Sequence, residues 1–132
     1  NLSSFLQRGG KALFYHGVSD PWFSLWDTLD YYQRAAQANG GEQAWADASR
    51  FYAVAGMGHC GGGTAHDQFD LLSAVVDWVE QGKPPQDAGI VAARRTADGK
   101  AATRPLCPWP THAHYTGAGD IASADSYTCR TE

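Results

Sequence analysis

Two short apolar runs, each ending in a polar loop that contains glycine, dictate most of what this chain can fold into. Lys11–Tyr15 (KALFY) leads into His16-Gly17-Val18-Ser19-Asp20-Pro21, and Phe51–Ala55 (FYAVA) leads into Gly56-Met57-Gly58-His59-Cys60-Gly61-Gly62-Gly63. Runs this short, closed by breakers, read as buried strands. Between them, Ser24 is placed to N-cap a helix, with Asp27 making a weak capping box. Leu25, Leu29, Tyr32 and Ala36 recur at helical spacing, and Asn39-Gly40-Gly41 stops the pattern. After the second loop, Asp67 or His66 is expected to open another helix. Its expected apolar face is Phe69, Leu72, Val76 and Val79, and Gly82-Lys83-Pro84-Pro85 ends it. Strand, loop and helix, twice over, predict an α/β fold with a parallel sheet and helices packed on it.

Beyond Pro85 the character changes. Ile90–Thr96 and Lys100–Pro105 flank Ala97-Asp98-Gly99, a hairpin signal. Residues 107–132 are rich in Pro, Gly, Ser and Thr and read as an irregular tail stapled back by Cys107–Cys129, a closure that contributes roughly 3 kcal/mol by chain entropy. The expected division is a strand and helix core over 1–85 and a hairpin with its tail over 86–132.

With 132 residues, 43% of them hydrophobic, the chain can bury the core of one globular unit. Five Trp and six Tyr are out of keeping with a disordered chain. The net charge of -4 is spread without a basic stripe, which argues against nucleic-acid binding. No apolar run reaches the roughly 18 residues that a membrane span needs. The chain opens at Asn1 without a basic and apolar leader, so a mature or fragmentary chain is expected. Three cysteines, an odd number, imply a missing partner or a free thiol.

The chemistry concentrates in the two loops, because functional groups of open α/β sheets collect at the carboxyl ends of the strands. Asp20 follows one strand and His59 the next, 39 residues on, which leaves room for one helix and one strand. In an α/β-hydrolase triad the chain order is Ser, Asp, His, and these two residues suit the last two places. Imidazole can accept a serine proton and return it to a leaving group, and a carboxylate on its far nitrogen fixes the tautomer. Two other readings compete. His59, Cys60 and His66 share one stretch and are zinc-ligand types, but C-x-x-C and H-x-x-x-H spacings are absent. A non-catalytic interaction module or fragment is the other alternative.

HGVSDP and GMGHCGGG, followed by Arg104-Pro105-Leu106-Cys107-Pro108-Trp109-Pro110, Tyr115, Gly117, Gly119-Asp120 and Ser126-Tyr127-Thr128-Cys129, resemble the tannase/feruloyl esterase family over about residues 10–129. The resemblance implies the C-terminal part of an α/β-hydrolase sheet and hydrolysis of aromatic-acid esters such as gallates, ferulates and terephthalate half-esters. It makes Asp20 the acid and His59 the base, and it sets His16 and Phe23 beside the aromatic acyl pocket. It pairs Cys60 with a cysteine next to the nucleophile, outside this chain. The family's C-S-x-G-G elbow, its inserted calcium-binding lid and an obvious oxyanion loop do not occur here. The nucleophile is therefore expected from an N-terminal part of the same protein, and the isolated chain is expected to be inactive. The disulfide-prone cysteines imply a secreted or periplasmic setting.

Overall fold

The structure, a computed structural model, describes residues 2–86 and 89–132. Strands β1 (Ala12–Gly17) and β2 (Ser49–Val54) pair in parallel, from Ala12↔Ser49 to Gly17↔Val54. Both carboxyl ends therefore reach the same edge in register. Among the described residues no third strand joins this sheet.

Side chains alternate across the pleat and divide the core between the two faces. On one face, Phe14 packs against Tyr32 and Trp45, and Tyr32 against Phe51. Tyr32 belongs to α2 (Leu25–Ala38) and Trp45 to the short α3 (Glu42–Ala46). Leu2 and Leu6, around α1 (Ser3–Gln7), add to this cluster. On the other face Leu13, Tyr52 and Val54 meet Met57, Ala65, Phe69, Leu71 and Ala74. Leu71 and Ala74 lie on α4 (Leu71–Gln81). Helices thus flank both faces, as the strand and helix order implies.

Two details differ from the sequence reading. Helix α4 is capped by Asp70, whose carboxylate accepts hydrogen bonds from the amide and hydroxyl of Ser73. His66 and Asp67 precede it, and Asp67 instead accepts the Gly62 amide at 2.7 Å. The helix also turns a different stripe inward. Leu71, Ala74 and the buried Trp78 face the protein, whereas Leu72, Val76 and Val79 are exposed. Apolar residues surround most of α4, so periodicity alone does not select its inner face. Of the expected face, Phe69, just before the helix, does pack against the core.

The hairpin forms as β3 (Val91–Arg95) against β4 (Ala101–Pro105), antiparallel, with Ile90, Ala92 and Leu106 entering the core. Cys107 and Cys129 are disulfide-bonded across 22 residues. Within that loop, β5 (His112–Tyr115) and β6 (Tyr127–Arg130) make a short antiparallel pair that composition did not reveal. Ala113 pairs with Cys129, so the disulfide and the ladder reinforce one another.

Candidate active site

The two loops leave the sheet side by side and are bonded directly to each other. The Val18 amide continues the ladder to the Val54 carbonyl at 3.0 Å, and the Ser19 amide donates to the Met57 carbonyl at 3.0 Å. Gly17 makes this approach possible. A Cβ at that position would fall inside contact distance of the Met57 and Gly58 carbonyl oxygens and 2.9 Å from the Met57 carbonyl carbon. Met57 is fully buried in the core. It bridges to Gly63, closing the glycine-rich segment into a small loop with His59 inside it. Asp67, through the Gly62 amide, ties that loop down from the far side.

Asp20 is almost enclosed, its side chain 5% exposed. Oδ1 accepts the backbone amides of Trp22 and Phe23 at 2.9 and 3.1 Å, which forces a tight turn through Pro21. Oδ2 accepts from His59 Nδ1 at 2.8 Å. Burial alone would raise the Asp20 pKa. The His59 hydrogen bond, the two amides and the nearby imidazole charge outweigh it, and the pKa falls from an ordinary 3.8 to about 2. The carboxylate is therefore ionised near neutrality and can only accept. His59 must carry its proton on Nδ1, which leaves the Nε2 lone pair available as a base. No serine among the described residues bonds His59.

His16, at the end of β1, has both nitrogens engaged. Its Nε2–H donates to the Phe23 carbonyl at 3.2 Å, and its Nδ1 accepts from the Thr28 hydroxyl at 2.9 Å. Asp20 Oδ2 lies 3.6 Å from Nε2. His16 thus braces the Asp20 loop against α2. Phe23 is exposed and its ring lies 5.3 Å from that of His59. His16, Asp20, Phe23, His59 and Cys60 line one open cleft of about 490 Å³, with Tyr15, Thr28 and Tyr31 completing its aromatic and polar wall. Cys60 is exposed, its thiol free in this chain, and it holds a left-handed φ of 61° unusual for a side-chain-bearing residue.

Sequence reasoning passed over two residues here. Thr28 lies on the polar side of α2, and only the fold reveals that it faces the end of β1. Trp22 adjoins the Asp-Pro turn, but no spacing rule joins it to a histidine far along the chain. Its ring nevertheless meets that of His59 edge to face, centroids 5.0 Å apart.

Metal readings find no support in this arrangement. Among the described residues no three His, Cys, Asp or Glu side chains converge as a ligand set, so His59, Cys60 and His66 do not form a zinc site. His112 and His114 share a hydrogen bond on β5 but gain no third ligand. Calcium, which the resemblance assigns to a lid, has no ligand group among these residues.

The family described as tannase and feruloyl esterase matches residues 1–130. This chain belongs to the tannase and feruloyl esterase family. Mono(2-hydroxyethyl) terephthalate hydrolase of Piscinibacter sakaiensis is 44% identical over 130 residues, which are 98% of this chain and 21% of that protein. Feruloyl esterase B of Aspergillus niger is 37% identical, covering 98% of this chain and 27% of the relative. Among solved structures, an esterase from Aspergillus oryzae superposes with a TM-score of 0.84 at 30% identity, over 98% of this chain and 29% of its own. Feruloyl esterase B from Aspergillus oryzae gives 0.80 at 28% identity, over 98% and 28%. The chain therefore spans between a fifth and a third of the family members it matches.

Proposed function

We propose that this chain supplies the acid and base of a serine ester hydrolase, with Asp20 as the acid and His59 as the base. The observation that carries this reading is the 2.8 Å bond from His59 Nδ1 to Asp20 Oδ2, made between loops that leave adjacent parallel strands in register. A serine from the preceding part of the same protein would complete the triad. His59 Nε2 takes the serine hydroxyl proton as the oxygen attacks the ester carbonyl. It returns that proton to the departing alkoxide, leaving an acyl-enzyme. Water then attacks with His59 again as base, the C–O bond to serine breaks, and the serine regains its proton. Asp20, ionised and fixed by two backbone amides, holds the tautomer and stabilises the imidazolium of each step.

The substrate class we infer is esters of aromatic acids. The relatives are named for terephthalate and feruloyl esters, and the cleft beside His59 is walled by Phe23, Tyr15 and Tyr31. Phe23 is assigned to the acyl ring. His16 contributes mainly by bracing Asp20, since its nitrogens are already occupied. Cys60 is assigned to a disulfide with the nucleophile loop, which would tie serine and histidine together in a secreted or periplasmic protein. Calcium, if the lid holds it, lies outside this chain and enters none of these steps.

The test is turnover of methyl gallate, methyl ferulate and mono(2-hydroxyethyl) terephthalate by the full-length protein and its His59→Ala variant. Loss of at least about 10³-fold is expected on whichever ester is cleaved. Near-normal turnover by the variant would remove His59 from the mechanism.

A further inference from the structure

We propose that Trp22 is a positioning residue for His59, holding the tilt of the imidazole and stabilising its protonated form. This rests on the reading of His59 as the base. One hydrogen bond, at Nδ1, leaves an imidazole free to rock about that bond, and the His59 side chain is 36% exposed. Two rings restrict it. Trp22 meets it at 5.0 Å with planes at 60°, and Phe23 at 5.3 Å with planes at 48°. Trp22 is itself anchored at its backbone, because its amide donates to Asp20 Oδ1 while Oδ2 of the same carboxylate receives His59. One carboxylate thereby fixes the base and the ring that steadies it.

The two aromatic residues divide their work. Phe23 lines the cleft, where a substrate ring can reach it, whereas Trp22 is not part of the cleft wall. Substrate binding should therefore be nearly blind to Trp22. Proton transfer should not be: when Nε2 accepts the serine proton, the new cation lies against an indole, the aromatic system that attracts cations most strongly. That attraction exists only after the proton moves, so it belongs to the reaction barrier and not to ground-state affinity.

The test uses the full-length protein with Trp22→Leu, Trp22→Phe and His59→Gln. Trp22→Leu should lower kcat about ten- to thirty-fold with KM within about twofold, and Trp22→Phe should recover most of the loss. A spectroscopic readout needs no turnover. Protonated imidazole quenches an adjacent indole, so emission of the parent protein should fall as His59 is protonated. That change should vanish in both His59→Gln and Trp22→Phe. A kcat unchanged by Trp22→Leu, a loss expressed only in KM, or survival in Trp22→Phe of the part of the emission change that His59→Gln removes would each overturn the proposal. If Trp22→Leu does not fold, Trp22→Met takes over the kinetic comparison. An active His59→Gln would instead refute the underlying reading of the base, and the emission comparison would still decide the Trp22 contact.

Discussion

Gly17→Ala is the smallest change that should separate Asp20 from His59 without touching either. Gly17 ends β1 and lies against the peptide joining Met57 to Gly58. An added methyl carbon would sit 2.9 Å from the Met57 carbonyl carbon and closer still to the two flanking carbonyl oxygens. Comfortable carbon contacts begin near 3.5 Å, so the loops must part by roughly 0.5–1 Å. Little else can yield. The obstructing atoms are backbone, Met57 is locked in the core, and the Ser19 amide bonds the same Met57 carbonyl. The displacement should pass to the Asp20–His59 bond, stretching it from 2.8 Å beyond the ordinary hydrogen-bond range. Overpacking of this kind costs about 1–3 kcal/mol of stability, and an error of about 1 Å in the placement of catalytic groups costs on the order of 10²-fold in rate. Thermal unfolding and kcat of full-length Gly17→Ala, each against the parent protein, measure the two effects. A variant with parental melting temperature and parental kcat would refute the claim that this contact sets the Asp20–His59 distance.

Further expectations follow from the same geometry. Asp20→Asn keeps the Oδ1 acceptor for the Trp22 and Phe23 amides but presents an N–H to His59 Nδ1, forcing the wrong tautomer. The turn should survive while kcat falls roughly 10⁴-fold, and a loss below tenfold would exclude Asp20 as the acid. The Asp20 pKa is lowered from 3.8 to about 2, so its stabilising contribution is complete above the unfolded value and drains away only as pH falls through that window. Acid unfolding of Asp20→Asn should accordingly be less steep than that of the parent between about pH 4 and pH 2. Cys129→Ser opens a bridge that spans 22 residues and should destabilise the tail by about 3 kcal/mol, read as a lower denaturation midpoint than that of the parent.

The parts of the fold legible in the sequence are those set by local chemistry. KALFY and FYAVA form strands because short apolar runs closed by glycine cannot extend as helices. Ser24 caps α2 as its position implies, its side chain accepting the Trp26 amide. Asp20 and His59 were legible for a related reason, since each lies in the loop that follows a strand, whereas Thr28 and Trp22 carry no such signal. What escaped depends on contacts distant in sequence. Asp67 looks like a helix cap, but the Gly62 amide captures it and Asp70 takes the cap. Leu72, Val76 and Val79 share a face by spacing, yet the sheet accepts Leu71, Ala74 and Trp78. The β5–β6 pair arises in a segment whose composition suggests no ladder, where the Cys107–Cys129 bond holds two short strands in register.

The direct bond between the two loops also bears on how such enzymes diversify. The backbone contacts that set the distance from Asp20 to His59 lie between β1 and the glycine-rich loop, a stretch that closes on itself through the Val18, Ser19 and Met57 amides and carbonyls. Segments inserted elsewhere in a longer chain can change length and shape without stretching that distance. Distant segments can then be reworked over a lineage while the Asp20–His59 pair is inherited intact, as a single heritable cassette.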